Sequence, residues 1–164
     1  MKRLILMRHA KSDWSDLAAS DHERTLNARG IKSAQAMGDW LRRESLQPDE
    51  ILCSDAARTQ ETLKLLALPD TPTVITRKLY LAQADVMARY LMQQTGNCIL
   101  MVGHNPGTAV LAGQLLERAP KQAEFDVFPT CATLVVDFNI DTWDALRMGS
   151  GTALHFTLAR TLIE

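Results

Sequence analysis

Apolar residues along the chain fall into short dense runs, separated by longer stretches in which they recur at helical spacing. Leu4–Met7 is uninterrupted, which predicts a short strand buried on both faces. Lys11–Asn27 is polar and has no period, so a loop of functional length is expected. Asn27 can cap a helix from Ala28 to Glu44, in which Ile31, Ala34, Met37 and Leu41 share one face beside Trp40; Pro48 marks its exit. Glu50–Cys53 predicts a second strand, and Ala56–Ala67 a helix ended by Pro69 and Pro72. Thr73–Thr76 predicts a third, β-branched strand. Ala84–Gln94 predicts a helix with Val86, Tyr90 and Leu91 inward, stopped by Gly96 and Asn97. Cys98–Val102 is the fourth and most apolar strand. Asn105-Pro106-Gly107 predicts the start of another helix, with Asn as cap and Pro in the first turn. Ala132–Phe138 is a β-branched run, followed by a turn at Asn139–Trp143, a Gly149–Gly151 break and a last strand near Ala153–Leu158.

Strands that alternate with helices, and are themselves apolar without alternation, belong to a mostly parallel sheet covered on both faces. An α/β fold in one domain spanning residues 1–164 is expected, since no repeat or linker interrupts it. Hydrophobic residues make up 46% and charged residues 23%, enough for a substantial core. The net charge of −1 gives no global field toward nucleic acid or a membrane, so neither is expected as a partner and any anion site must be local. Cys53, Cys98 and Cys131 are odd in number and match no zinc spacing; they read as reduced core residues of a cytoplasmic protein. The apolar run in "MKRLILM" is too short for a signal peptide, and nothing approaches the roughly 20 apolar residues of a membrane span.

The chemistry gathers at strand ends. The first strand ends on Arg8-His9, the second on Ser54 with Arg58 one helical turn later, and the fourth on Gly103-His104. Parallel strands bring their carboxyl ends to one edge, where open α/β sheets bind ligands. Two guanidiniums and two imidazoles meeting there suit a phosphoryl group. Arginine forks match its oxygens, and histidine is a competent nucleophile toward phosphorus. The helix after Asn105 adds free backbone N–H groups. His22 lies in a polar run and is expected in solvent, His155 is expected partly buried, and the four histidines lack metal-ligand spacing. Trp14 is open to a role at the pocket entrance or to packing, Trp40 reads as core, and Trp143 as packing at a turn.

"LMRHAKSDW", "SDAARTQET" and "VGHNPG" resemble the three signatures of the histidine phosphatase superfamily, the phosphoglycerate mutase-like proteins. The Ala after His9, the "SDHERTLNARG" segment and the "YLA" after the third strand are most similar to its small SixA-type phosphohistidine phosphatases. The resemblance implies a three-layer sandwich with a mixed, mostly parallel central sheet. It implies that His9 is the phosphorylated nucleophile, that Arg8, Arg58 and His104 hold the phosphate, and that no metal or organic cofactor is used. Asp21 and Arg24 resemble an Asp and Arg pair of the SixA branch. Asp21 then orients substrate or exchanges a proton, and Arg24, Ser12 and Asn105 join the phosphate site; a loop ion pair or solvated loop is the alternative for Asp21 and Ser12.

One departure matters. Larger members carry a Glu or Asp just after the third strand to protonate the leaving oxygen, whereas this chain reads "RKLYLAQAD". The imidazole of phosphohistidine needs less help in leaving than an alkoxide. The expected activity is therefore hydrolysis of phosphohistidine on a protein of the histidine phosphotransfer domain type, by a monomer or weak oligomer. A phosphatase for small phosphate esters and a non-catalytic phosphate-binding module are the alternatives.

Overall fold

The computed structural model describes residues 1–163. Six strands form one mixed sheet: β1 (Lys2–Arg8), β2 (Glu50–Ser54), β3 (Thr73–Thr76), β4 (Cys98–Gly103), β5 (Thr133–Phe138) and β6 (Thr152–Thr157). Their order is β3-β2-β4-β1-β5-β6. The β1–β4, β2–β4 and β2–β3 pairs are parallel, whereas β5 runs antiparallel to both β1 and β6.

β1 shows why the uninterrupted apolar run reads as strand. Leu4 and Leu6 enter one core and Ile5 and Met7 the other, all fully buried. Each such side chain contributes roughly 1.5–3 kcal/mol relative to exposure. On one face lie α1 (Ala28–Arg43), α2 (Ala57–Leu65) and α5 (Ala159–Ile163), with Met37, Trp40, Leu41 and Ala159 in their core. On the other lie α3 (Ala84–Met92) and α4 (Gly107–Leu115), with Met87, Leu91, Leu111 and Leu115. This is the expected three-layer sandwich.

Three expectations need correction. The inward face of α3 is Ala84, Met87, Ala88 and Leu91; Val86 and Tyr90 are only half-buried beside it. Helix α5 adds an element beyond the last expected strand, where none was predicted; five residues are too few for a helical period to register. Asn105 does not cap α4. Pro106 occupies that position with no side-chain cap, and the Asn105 amide instead donates to the carbonyls of Val127 (2.9 Å) and Phe128 (3.1 Å).

Asn27 does cap α1, accepting from the Gly30 N–H at 2.8 Å. The Lys11–Asn27 loop is pinned at its base by a bridge between Ser12 and Leu26 and by the bond from Asp13 N–H to the Thr25 carbonyl (2.7 Å). Gly107 is required by a close approach. A Cβ there would lie 2.0 Å from the Ala82 carbonyl oxygen, so only glycine lets the segment after β3 lie against the start of α4.

Candidate active site

Parallel pairing places Arg8 opposite Gly103 in register, so His9 and His104 leave adjacent strands side by side. Their ring centroids are 5.3 Å apart. β2 ends on buried Ser54, and Arg58 projects back from the first turn of α2. A cavity of about 420 Å³ opens over these groups, bordered also by Lys11, Trp14, Leu81 and Thr130.

His9 Nδ1 lies 2.7 Å from the Ala10 carbonyl. A carbonyl only accepts, so Nδ1 carries the proton and Nε2 keeps its lone pair. Arg58 Nε donates toward that Nε2 at 3.4 Å. Burial lowers the His9 pKa from 6.5 to about 3; the Ala10 hydrogen bond opposes this, and Arg58, Arg8 and Arg24 reinforce it. His104 Nδ1 faces Arg58 Nη2 at 3.3 Å, a donor, so its Nε2–H donates to Ser54 Oγ at 2.8 Å. Its pKa is also lowered to about 3, by burial first and then by His9 and Arg58. Both rings are neutral at neutral pH.

These shifts predict an acid-sensitive fold. Between pH 6.5 and about 3, the unfolded chain binds protons that folded His9 and His104 refuse. Stability therefore falls with falling pH in that window, by about 1.4 kcal/mol per pH unit per histidine. Urea unfolding followed from pH 6 to 4 is expected to show this slope, reduced in His104→Gln; a flat profile would contradict it.

Arg8 is half-buried, and burial with the nearby Arg58 charge lowers its pKa. Its Nη1 donates to the Phe128 carbonyl at 3.2 Å, while its buried Nε has no partner among the described residues. Arg58 donates to the Asp21 carbonyl (2.6 Å) and to Asp21 Oδ2 (3.0 Å). Arg24 binds Asp21 Oδ1 at 2.7 Å, donates to Ser12 Oγ, and lies 3.5 Å above the Trp14 ring. Burial raises the Asp21 carboxyl, but hydrogen bonds from Tyr80, Arg24 and Arg58 outweigh it and hold the pKa below the usual carboxylate range. Asp21 is thus an ionised clamp between two arginines.

A family model described as histidine phosphatase superfamily (branch 1) matches residues 4–80. The uncharacterized protein Rv1276c of Mycobacterium tuberculosis is 38% identical over 161 residues, covering 94% of this chain and 100% of that one. The phosphohistidine phosphatase SixA of Escherichia coli is 25% identical over 120 residues, covering 69% of this chain and 73% of its own. The chain belongs to the histidine phosphatase superfamily. Its fold matches that of the protein histidine phosphatase SixA complexed with tungstate at a TM-score of 0.80 and 22% identity, over 98% of this chain and 99% of that one.

Within this SixA-like fold, Arg8, His9, Ser12, Asp21, Arg24, Arg58, His104 and Asn105 all border the same cavity. Asn105 shares the Phe128 carbonyl with Arg8, so both its N–H groups are engaged away from the cavity. His22 is not solvated as expected. It bonds Asp55 at 2.6 Å and meets the Tyr80 ring edge-on at 4.8 Å. Tyr80 is the site residue that sequence reasoning missed: its hydroxyl donates to Asp21 Oδ2, and its ring lies edge-on to His104 at 5.4 Å. It follows the third strand, where larger relatives place a carboxylate. That position, more than the residue type, was the available signal. Among the described residues, no helix is long and apolar enough to cross a membrane.

Proposed function

We propose that the chain is a metal-independent phosphatase that removes the phosphoryl group from phosphohistidine on a protein, through a phosphohistidine formed at His9. The tautomer of His9 carries this reading. With Nδ1–H held by the Ala10 carbonyl, the unprotonated Nε2 faces the cavity beside Arg58, as an in-line nucleophile requires.

The substrate's three phosphoryl oxygens meet Arg8 and Arg58, whose charge offsets what develops in the transition state. A bond forms from His9 Nε2 to phosphorus as the substrate's N–P bond breaks, its electron pair returning to the departing imidazole. The phosphoryl dianion raises the pKa of His104, reversing the sign of the charge facing it, so His104 gains a proton and a donor for phosphate. Water then forms the new O–P bond, the His9 N–P bond breaks with its electron pair returning to Nε2, and the water's proton leaves to solvent.

Among the described residues, Asp21 is the one carboxylate bordering the cavity. Its lowered pKa leaves it no proton to give at neutral pH and makes it a weak base, so it serves as a clamp that fixes Arg58 and Arg24. Without a resident acid, an alkoxide is a poor leaving group, which favours an N–P substrate. Only residues 77–83 join β3 to α3, too few to cover the cavity, and Trp14 and Leu81 stand exposed at its edge. An uncovered cavity suits a phosphohistidine presented on a protein surface.

A substrate panel at neutral pH tests this. Phosphohistidine protein is expected to exceed sugar phosphates by at least about 10²-fold in kcat/KM, and equal or better turnover of the sugar phosphate would contradict it. Asp21→Asn is expected to slow the phosphohistidine reaction about 10–100-fold; an unchanged rate removes Asp21 from the mechanism.

A further inference from the structure

We propose that a second anion subsite adjoins the phosphate cavity, a notch formed by Lys11, Arg29, Ser33 and Arg160 that takes the carboxylate of an acidic side chain beside the phosphohistidine. The proposal rests on the protein-phosphohistidine reading above and deepens it to a sequence preference of the substrate.

The notch is a separate cavity of about 200 Å³ that shares Lys11 and Thr130 with the phosphate cavity. A ligand filling both would pass across those two residues. Among the described residues, three cations and no carboxylate line the notch. Arg160 is partly neutralised by Glu124, but neither Lys11 nor Arg29 forms an ion pair among the described residues. The whole chain carries a net charge of −1, so this positive field is a local concentration.

Arg29 is placed against the ordinary preference of a helix. It lies in the first turn of α1, a 16-residue helix whose first turn holds no acidic residue. The N-terminal end of the helix dipole disfavours a cation and favours an anion. An anion in the notch would satisfy the dipole and the guanidinium together. Ser33 follows one turn later on the same side of α1; it is only 6% exposed and lines the notch.

The notch is fixed relative to His9. A Cβ on Gly30 would lie 2.0 Å from the Lys11 carbonyl oxygen, and the Asn27 N–H donates to that same oxygen at 3.0 Å. The start of α1 is thus seated on the backbone two residues after the nucleophile.

The test uses phosphohistidine peptides in which Glu, Gln or Lys is placed at each neighbouring position in turn, with the full chain and two variants, Arg29→Gln and Arg29→Glu. The readout is the ratio of kcat/KM between peptides, which a general loss of activity leaves unmoved. At one or two positions the unaltered protein is expected to prefer Glu over Gln about 5–10-fold, with the preference shrinking as salt rises. Arg29→Gln is expected to bring the ratio within about twofold of unity, and Arg29→Glu to turn the preference toward Lys. A Glu preference absent at every position, or present and unchanged in both variants, would overturn the subsite. Aryl phosphates with and without a ring carboxylate separate the two proposals. If no peptide is hydrolysed but the carboxylated ester is preferred through Arg29, the protein-phosphohistidine reading fails and the subsite stands.

Discussion

Replacing His9 with alanine is expected to reduce turnover to background, a loss of at least about 10⁴-fold on every substrate. Neither the buried thiols nor Ser54 can take over. Cys53 and Cys131 are buried thiols whose pKa burial raises to about 12, so neither offers a thiolate. Ser54 Oγ is fully buried and already engaged by His104 and the Ala56 N–H. The loss should come with an intact fold. The His9 N–H bonds the Gly103 carbonyl and its carbonyl accepts from Cys131, contacts that alanine keeps. Circular dichroism and the unfolding midpoint are the controls, and steady-state hydrolysis is the measurement. Residual turnover within about 100-fold of the unaltered protein would place the nucleophile elsewhere.

Arg58→Lys is expected to lower kcat/KM by about 10²–10³-fold, although charge is conserved. Arg58 is 2% exposed, and its three nitrogens reach four acceptors: the Asp21 carbonyl, Asp21 Oδ2, His9 Nε2 and His104 Nδ1. A guanidinium can orient one nucleophile, one phosphate ligand and one carboxylate at fixed angles, whereas an ammonium is a single point on a flexible stem. The fork should act mainly on the transferring phosphoryl group, so kcat should fall more than KM rises. Equal activity in Arg58→Lys would mean that positive charge alone suffices and that the fork geometry is incidental.

What could be read in the sequence divides along physical lines. β1, β2 and β4 were legible because strands buried on both faces must be continuously apolar, and their polar ends then stand out at Arg8-His9, Ser54 and Gly103-His104. Asn27 was legible because capping is a local event. Asn105 was misread for the same local reason. Its side chain had nearby backbone N–H groups to accept from, yet it reached across 22 and 23 residues to the carbonyls of Val127 and Phe128. Tyr80 and His22 were missed because their roles lie in contacts 59 and 33 residues away, to Asp21 and Asp55. No periodicity or spacing carries that information. The absent acid after the third strand was legible as an absence, whereas the tyrosine that holds Asp21 from that position needed the fold.

The covalent step is the most exposed point. Rapid mixing with a phosphohistidine protein carrying ³²P, followed by an alkaline quench, tests it directly. A phosphohistidine intermediate predicts label on this chain that is stable to alkali and labile to acid, that maps to the peptide holding His9, and that disappears in His9→Ala. Turnover at full rate with no label at any mixing time, or label that persists in His9→Ala, would contradict it.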